Sequence, residues 1–195
     1  MVVGVTNRVL VDMGACVSGV GPRAAAFDEL FREHYRVVLG YALRRADPET
    51  ARDVAAETFV VAWRRFDQVP ASPRPWLFAI ARRVLANARR SVRRDRALLQ
   101  RLSVDAKAAA SPGHESETGR TQVLEVLMRM GASDREILQL VAWEGLNTEE
   151  LAVVLGSSEV ACRVRLHRAR RRFAAALARD AGSESLHHRQ TMEES

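Results

Sequence analysis

Lysine is almost missing from this chain of 195 residues: Lys107 is the only one among 30 basic side chains, so the cations are arginines. Phosphate recognition and a GC-rich coding bias would each produce that skew. Cysteine is nearly as scarce. Cys16 and Cys162 are the only two, too few for a zinc site and set in segments with no reason to meet, which removes a disulfide scaffold and points to a reducing, cytoplasmic setting. No apolar run is long enough to span a bilayer, so membrane insertion is not expected. In the valine-rich start, Arg8 and Asp12 interrupt the apolar residues and no basic segment precedes them, which argues against a secretory signal. Also missing is a nucleophile beside organised basic groups or a carboxylate cluster suited to a metal, so the chain reads as a non-enzyme without cofactor or metal. His114, Glu115, Glu117, His187 and His188 sit in polar stretches, where solvation is the simplest account of them.

What is present is a formal charge of +6 and 47% hydrophobic residues, enough for one ordinary core or two small ones. A net positive charge argues for a polyanionic partner only where the charge is clustered. Here it falls into two arginine-rich helical stretches about 80 residues apart in the sequence.

The more informative of these runs from Asn147 to Phe173. Asn147 with Glu150 forms a capping-box pattern, Gly156 closes the first helix, and Ser158 is placed to cap a second. That is a helix-turn-helix. In the second helix Cys162, Leu166, Ala169 and Phe173 share an apolar stripe, while Val160, Val164, His167, Arg168 and Arg171 point the other way. Arginines on the outward face suit phosphates and the O6 and N7 of guanine. A basic amphipathic helix can instead lie on a membrane or an acidic partner. The two caps, the tight turn and the uncharged Val160 and Val164 favour DNA.

The N-terminal half predicts three helices. Phe27, Leu30, Phe31, His34, Tyr35, Val38 and Ala42 recur at helical spacing. Asp47 and Pro48 then open a helix extending through Phe66, with Ala51, Val54, Ala55, Phe59, Ala62 and Phe66 inward and Arg52, Asp53, Glu57, Val60 and Arg64 nearer the outside. Phe59 and Trp63 are both assigned to the core. After a proline-stiffened loop from Asp67 to Pro75, a helix beginning at Trp76 offers Trp76, Leu77, Ile80, Val84, Leu85 and Ala88 for burial. It presents Arg82, Arg83, Arg89, Arg90, Arg93, Arg94 and Arg96 on its other surface. In the C-terminal half, Ser133 with Glu136 makes another capping-box pattern. Leu124, Leu127, Met128, Ile137, Leu138, Val141, Leu146, Leu151 and Val154 are expected to form a small core.

Three strings, DVAAETFVVAWRRF, PWLFAIARRVLANARR and LGSSEVACRVRLHRARRRF, occur in an order and spacing that resemble the bacterial sigma-70 family, in particular its extracytoplasmic-function (ECF) subgroup. The resemblance covers roughly Phe27 to Arg96 and Gln122 to Ala178. It implies an all-α chain of two small helical domains joined by a flexible linker. The divisions are an extension over 1–25 expected to be disordered, with Met13 as an alternative start; a region 2 domain over 26–98; a linker over 99–120; a region 4 helix-turn-helix domain over 121–179; and a polar tail over 180–195.

The resemblance further implies a factor that joins core RNA polymerase, through the clamp of its largest subunit and the flap of the second, and directs it to promoter DNA. An anti-sigma factor is a further partner of this class. Asp53, Glu57, Val60 and Arg64 are the expected polymerase contacts; Ala56 departs from the glutamine common at its position. Arg83, Asn87, Arg89 and Arg90 are expected at the −10 element, although the proline-rich loop is not a common family string. Ser158, Glu159, Arg163, Val164, His167, Arg168 and Arg171 are expected at the −35 element. The competing reading is a helix-turn-helix regulator acting without core polymerase, against which the second basic helix and the DVAAETF run both argue.

Overall fold

The computed structural model describes residues 21–102 and 118–193. The regular structure among the described residues is helical, without a strand, and they divide into two compact units, 21–102 and 118–193.

The first unit contains α1 (Pro22–Leu43), α2 (Pro48–Arg64), a single 3-10 turn at Phe66–Gln68, and α3 (Pro73–Leu102). Each of its three α-helices packs against the other two. Pro22 opens α1, so 22–25 belong to the helix instead of a disordered extension; 1–20, including Cys16, lie outside the described residues. Pro48 opens α2 with Asp47 as its cap, whose carboxylate accepts from the Thr50 amide at 3.0 Å. That bond holds the Asp47 carboxyl below the usual aspartate range.

Small side chains let these helices approach closely. Ala42, Ala51, Ala55, Ala62 and Ala81 are fully buried, and the larger Tyr41, Leu77 and Phe78 fill the space between helices. The Tyr41 and Phe78 rings stack 5.1 Å apart. Phe27 stands edge-on to Phe59, Trp63 and Phe66, an arrangement favoured by the ring quadrupoles.

Two expectations need correction in this unit. Trp63 is 40% exposed instead of core, because its helical phase sets it at the edge of the buried face of α2, one residue past the buried Ala62; there it packs edge-on against Phe27, and Arg23 lies over the ring with its guanidinium 5.2 Å from the centroid. The Asp67 to Pro75 loop is shorter than the prolines suggested. Pro73 starts α3 and Pro75 is buried within it, as proline is tolerated in a first turn, where the amide has no intrahelical partner.

The second unit contains α4 (Thr118–Arg129), α5 (Ala132–Ala142), α6 (Thr148–Leu155) and α7 (Glu159–Glu193). α4, α5 and α6 all pack on α7. The core consists of Val126 and Leu127 from α4, Ile137 and Leu140 from α5, Leu146, Leu151 and Val154, and Cys162, Leu166 and Ala169 from α7. Leu124 and Met128, expected inside, are 45% and 63% exposed. They are four residues apart and lie on the side of α4 away from Val126, so one helical face cannot bury all of them.

Ser133 is not an N-cap. α5 begins at Ala132 behind Gly131, with no side-chain capping bond; the Asp134 and Arg135 amides both donate to the Gly131 carbonyl. The Ser133 carbonyl instead accepts from Arg165 of α7. Nor does the helix end near 179: α7 runs on to Glu193 through the stretch expected as a polar tail. Residues 103–117, with His114, Glu115 and most of the expected linker, lie outside the described residues.

Candidate nucleic-acid interface

The helix-turn-helix is built by local chemistry. The Asn147 side chain accepts from the Glu150 amide and the Glu150 carboxylate accepts from the Asn147 amide, both at 2.9 Å, closing the capping box. At the far end of α6, Gly156 is left-handed with φ 62° and ψ 43°. The Gly156 and Ser157 amides both donate to the Ala152 carbonyl there, satisfying acceptors that a helix end otherwise leaves open. Ser158 Oγ then accepts from the Ala161 amide at 3.2 Å, which starts α7.

Helical phase divides α7 as expected. Cys162, Leu166 and Ala169 are buried and Phe173 is half-buried, while Ser158, Glu159, Val160, Arg163, Val164, His167, Arg168 and Arg171 are exposed. Val160 at 65% and Val164 at 44% are large apolar side chains left open at the N-terminal end of the helix. The first unit, taken by itself, carries an arginine-lined surface on α3, where Arg83, Asn87, Arg89, Arg90 and Arg94 are exposed. The side chains of Arg93 and Arg96 lie outside the described residues.

Arginines of α7 and α4 also bond within the second unit while Arg172 and Arg129 stay exposed. Arg165 donates to the Ser133 carbonyl at 3.0 Å, Arg172 pairs with Asp134 at 2.6 Å, and Arg129 pairs with Asp180. These contacts tie α7 to α5 and α4. Arg165 and Arg172 belong to the arginine-rich run between Asn147 and Phe173, and their bracing role is not evident from charge alone. The available signal was their phase: each lies three residues beyond a buried position, Cys162 or Ala169, at the edge of the apolar stripe. On α3, Arg89 donates to the Arg45 carbonyl just beyond α1 at 2.7 Å, and Arg90 donates to Asn87 Oδ1.

On α2, Asp53, Glu57, Val60 and Arg64 fall on one stripe at helical spacing. The two carboxylates and Arg64 are exposed and Val60 is half-buried. The opposite side of the helix carries the buried Val54, Ala55, Thr58 and Phe59. The Thr58 hydroxyl, on that inner side, returns its hydrogen bond to the Val54 carbonyl at 2.6 Å.

Two small helical units, one of them a helix-turn-helix with an open arginine-bearing face, define a helix-turn-helix protein suited to DNA. The family comparison is more specific. Residues 30–95 match the family description "Sigma-70 region 2" and residues 120–173 match "Sigma-70, region 4". The chain is 30% identical over 159 residues to the ECF RNA polymerase sigma factor SigL of Mycobacterium tuberculosis, a match covering 78% of this chain and 90% of that protein. It is 35% identical over 177 residues to the RNA polymerase sigma factor CnrH of Cupriavidus metallidurans, covering 82% and 89%. The solved structure of CnrH in complex with the cytosolic domain of CnrY has a TM-score of 0.55 and 29% identity over 80% of this chain and 90% of that one. The fold is shared as well with the sigma factor RpoE of Bartonella quintana, solved with the anti-sigma factor NepR, at a TM-score of 0.54 and 22% identity over 78% and 97%. The chain belongs to the ECF sigma factors of the sigma-70 family.

Among the described residues no helix is long and apolar enough to cross a membrane, and no group of three or more His, Cys, Asp or Glu side chains is arranged to hold a metal.

Proposed function

We propose that this sigma factor joins core RNA polymerase in the cytoplasm, brings it to promoters by contacts to the −35 and −10 elements, and assists strand opening. The observation that carries the reading is the exposed face of α7, where Arg163, Val164, His167, Arg168 and Arg171 stand opposite the buried Cys162, Leu166 and Ala169. A recognition helix of this kind enters the major groove by its N-terminal end. Arg163 and Val164, nearest that end, read bases together with His167 and Arg168. Arg171, two turns further on, holds phosphate, and Ser158 and Glu159 border the groove.

In the first unit, the α2 stripe of Asp53, Glu57, Val60 and Arg64 docks on the clamp of the largest polymerase subunit, the acidic pair facing basic partner groups. The second unit meets the flap of the second subunit. On α3, Arg83 and Arg90 hold phosphates and Asn87 hydrogen-bonds a base edge as the −10 strand separates. Unstacking costs roughly a few kcal/mol per base, which such contacts offset. Asn87 and Arg90 exchange their mutual bond for DNA, an exchange made easy by their exposure. Arg89 keeps one donor on the Arg45 carbonyl, so its share is the orientation of α3 as well as phosphate. The solved complexes of the related CnrH with CnrY and RpoE with NepR support an anti-sigma factor as a regulatory partner here.

The test is a holoenzyme of this chain with bacterial core polymerase, bearing Arg163→Ala or Arg171→Ala, on a panel of −35 variants at two salt concentrations. Loss of a base-reading Arg costs about 1–3 kcal/mol at one position. Loss of a phosphate contact weakens all sequences alike and lowers the salt slope by about one. Equal weakening of every variant by Arg163→Ala would overturn the register assigned to α7. Binding to a specific duplex by the chain alone, without core, would instead favour an independent regulator.

A further inference from the structure

At the N-terminal end of α7, one carboxylate oxygen gathers two donors from different helices. Glu159 Oε1 accepts from the Thr148 hydroxyl at 3.2 Å and from Arg163 Nη2 at 2.6 Å. Thr148 and Glu159 are the first residues of α6 and α7, so this oxygen connects the starts of the two helices that make the helix-turn-helix. Both helices are independently capped, by Asn147 and Ser158. The Thr148–Glu159–Arg163 chain is therefore not required to supply a missing cap. Its outer member is the arginine nearest the groove-entering end, with a side chain 65% exposed.

A carboxylate beside a DNA-facing surface repels phosphate and lowers general affinity, a cost that calls for a compensating role. Its geometry supplies one. An unsupported arginine loses much rotamer freedom on reaching a base edge, and a side chain already held in place loses less. The guanidinium is a planar fork, and fixing one of its amino groups on Glu159 fixes the direction in which its remaining donors face. A fork held in one direction suits the paired acceptors O6 and N7 of guanine better than it suits a flexible phosphate.

We propose that Glu159 is a positioning residue for base recognition: anchored by Thr148, it aims Arg163 at guanine and narrows the −35 preference at that one position. The proposal rests on the reading of Arg163 as a base contact. It assigns Glu159 an action through Arg163 in place of a base contact of its own, and it brings in Thr148, which no reading of the sequence singled out. It also sets the direction of two separate effects: the carboxylate raises discrimination and lowers binding to unselected DNA.

The experiment selects bound duplexes from a pool randomised across the −35 segment, using holoenzyme reconstituted from the full chain. The variants are Arg163→Ala, Glu159→Ala, Glu159→Gln, Thr148→Val and the Glu159→Ala/Arg163→Ala double substitution, each first matched to the unsubstituted chain in helical content. Arg163→Ala is expected to erase a guanine preference at one position. Glu159→Ala should reduce preference at that same position by on the order of tenfold, equivalent to about 1.4 kcal/mol, while binding to unselected duplex becomes tighter. Glu159→Gln and Thr148→Val should fall between, and the double substitution should match Arg163→Ala alone, because the two residues act as one unit. A lost preference for cytosine at a neighbouring position, with guanine retained, would make Glu159 a base reader and overturn the proposal. So would an unchanged preference in Glu159→Ala beside a position-specific loss in Arg163→Ala, which leaves the base-reading role of Arg163 intact. A flat response to Arg163→Ala overturns that underlying role and this proposal with it.

Discussion

Replacing Gly156 by alanine separates backbone conformation from packing at the turn of the helix-turn-helix. Gly156 has φ 62°, and a Cβ built there meets nothing within 4 Å. Any cost therefore comes from forcing an L-residue into the left-handed region, about 1–2 kcal/mol. Against it stands the reduced freedom of the unfolded chain, which offsets about 0.4–1 kcal/mol. The net destabilisation is then on the order of 1 kcal/mol, worth roughly 4–8 °C in Tm for a domain of this size. Asparagine tolerates the left-handed region better than alanine, so Gly156→Asn should lie between glycine and alanine. Thermal unfolding followed by far-UV circular dichroism, with the three proteins compared at one concentration, measures the order. An alanine variant as stable as the glycine form, or less perturbed than the asparagine one, would refute the assignment of the turn to backbone strain.

The remaining predictions address the first unit. Gly40 lies inside α1, where an added Cβ comes no closer than 3.4 Å, to the flexible end of Arg44; Gly40→Ala should raise stability by about 0.5–1 kcal/mol in urea unfolding. The Asp47 carboxyl is depressed by the Thr50 amide, so its stabilisation is fully present above the unfolded-state pKa and is lost as pH falls through the lower folded-state value; the Tm gap between the unsubstituted chain and Asp47→Ala should close across that acid range. Charge reversal of both Asp53 and Glu57, exposed on α2, should abolish co-purification with core polymerase while helical content stays unchanged; retained co-purification would refute the docking face. Permanganate footprinting with Asn87→Ala holoenzyme should show reduced opening at the −10 element, and normal opening with a lost −35 contact would mean the two basic helices were assigned the wrong way round.

Local signals carried most of the architecture. The Asn147 and Glu150 capping box, the Gly156 turn and the Cys162, Leu166 and Ala169 stripe depend on neighbours within one or two turns, and each forms as its residues dictate. The misreadings have two physical causes, helical phase and partners distant in sequence. Ser133 and Glu136 have a capping pattern, yet Gly131 starts the helix and Ser133 gives its carbonyl to Arg165, 32 residues away. Trp63 reads as core, yet its phase puts it at the edge of the buried face of α2, against Phe27 and Arg23 and still 40% exposed. Leu124 and Met128 have the right chemistry for a core but the wrong phase relative to Val126. The continuation of α7 is accompanied by the Arg129 and Asp180 pair, whose members are 51 residues apart. Pairings across such distances leave no periodicity in either local segment. The placement of Asp53, Glu57, Val60 and Arg64 on one stripe was legible for the opposite reason, since a single helical period fixes it.

Promoter selection by this chain is tested most simply by single-round transcription by core polymerase on a pool of duplexes randomised over the promoter region, with and without the chain. A promoter-selecting role predicts that the chain co-elutes with core and that transcripts start only when it is present, from templates enriched for one −35 and one −10 sequence at a fixed spacing. A chain that stays apart from core and selects a duplex by itself, or transcripts that start without template preference, would contradict it.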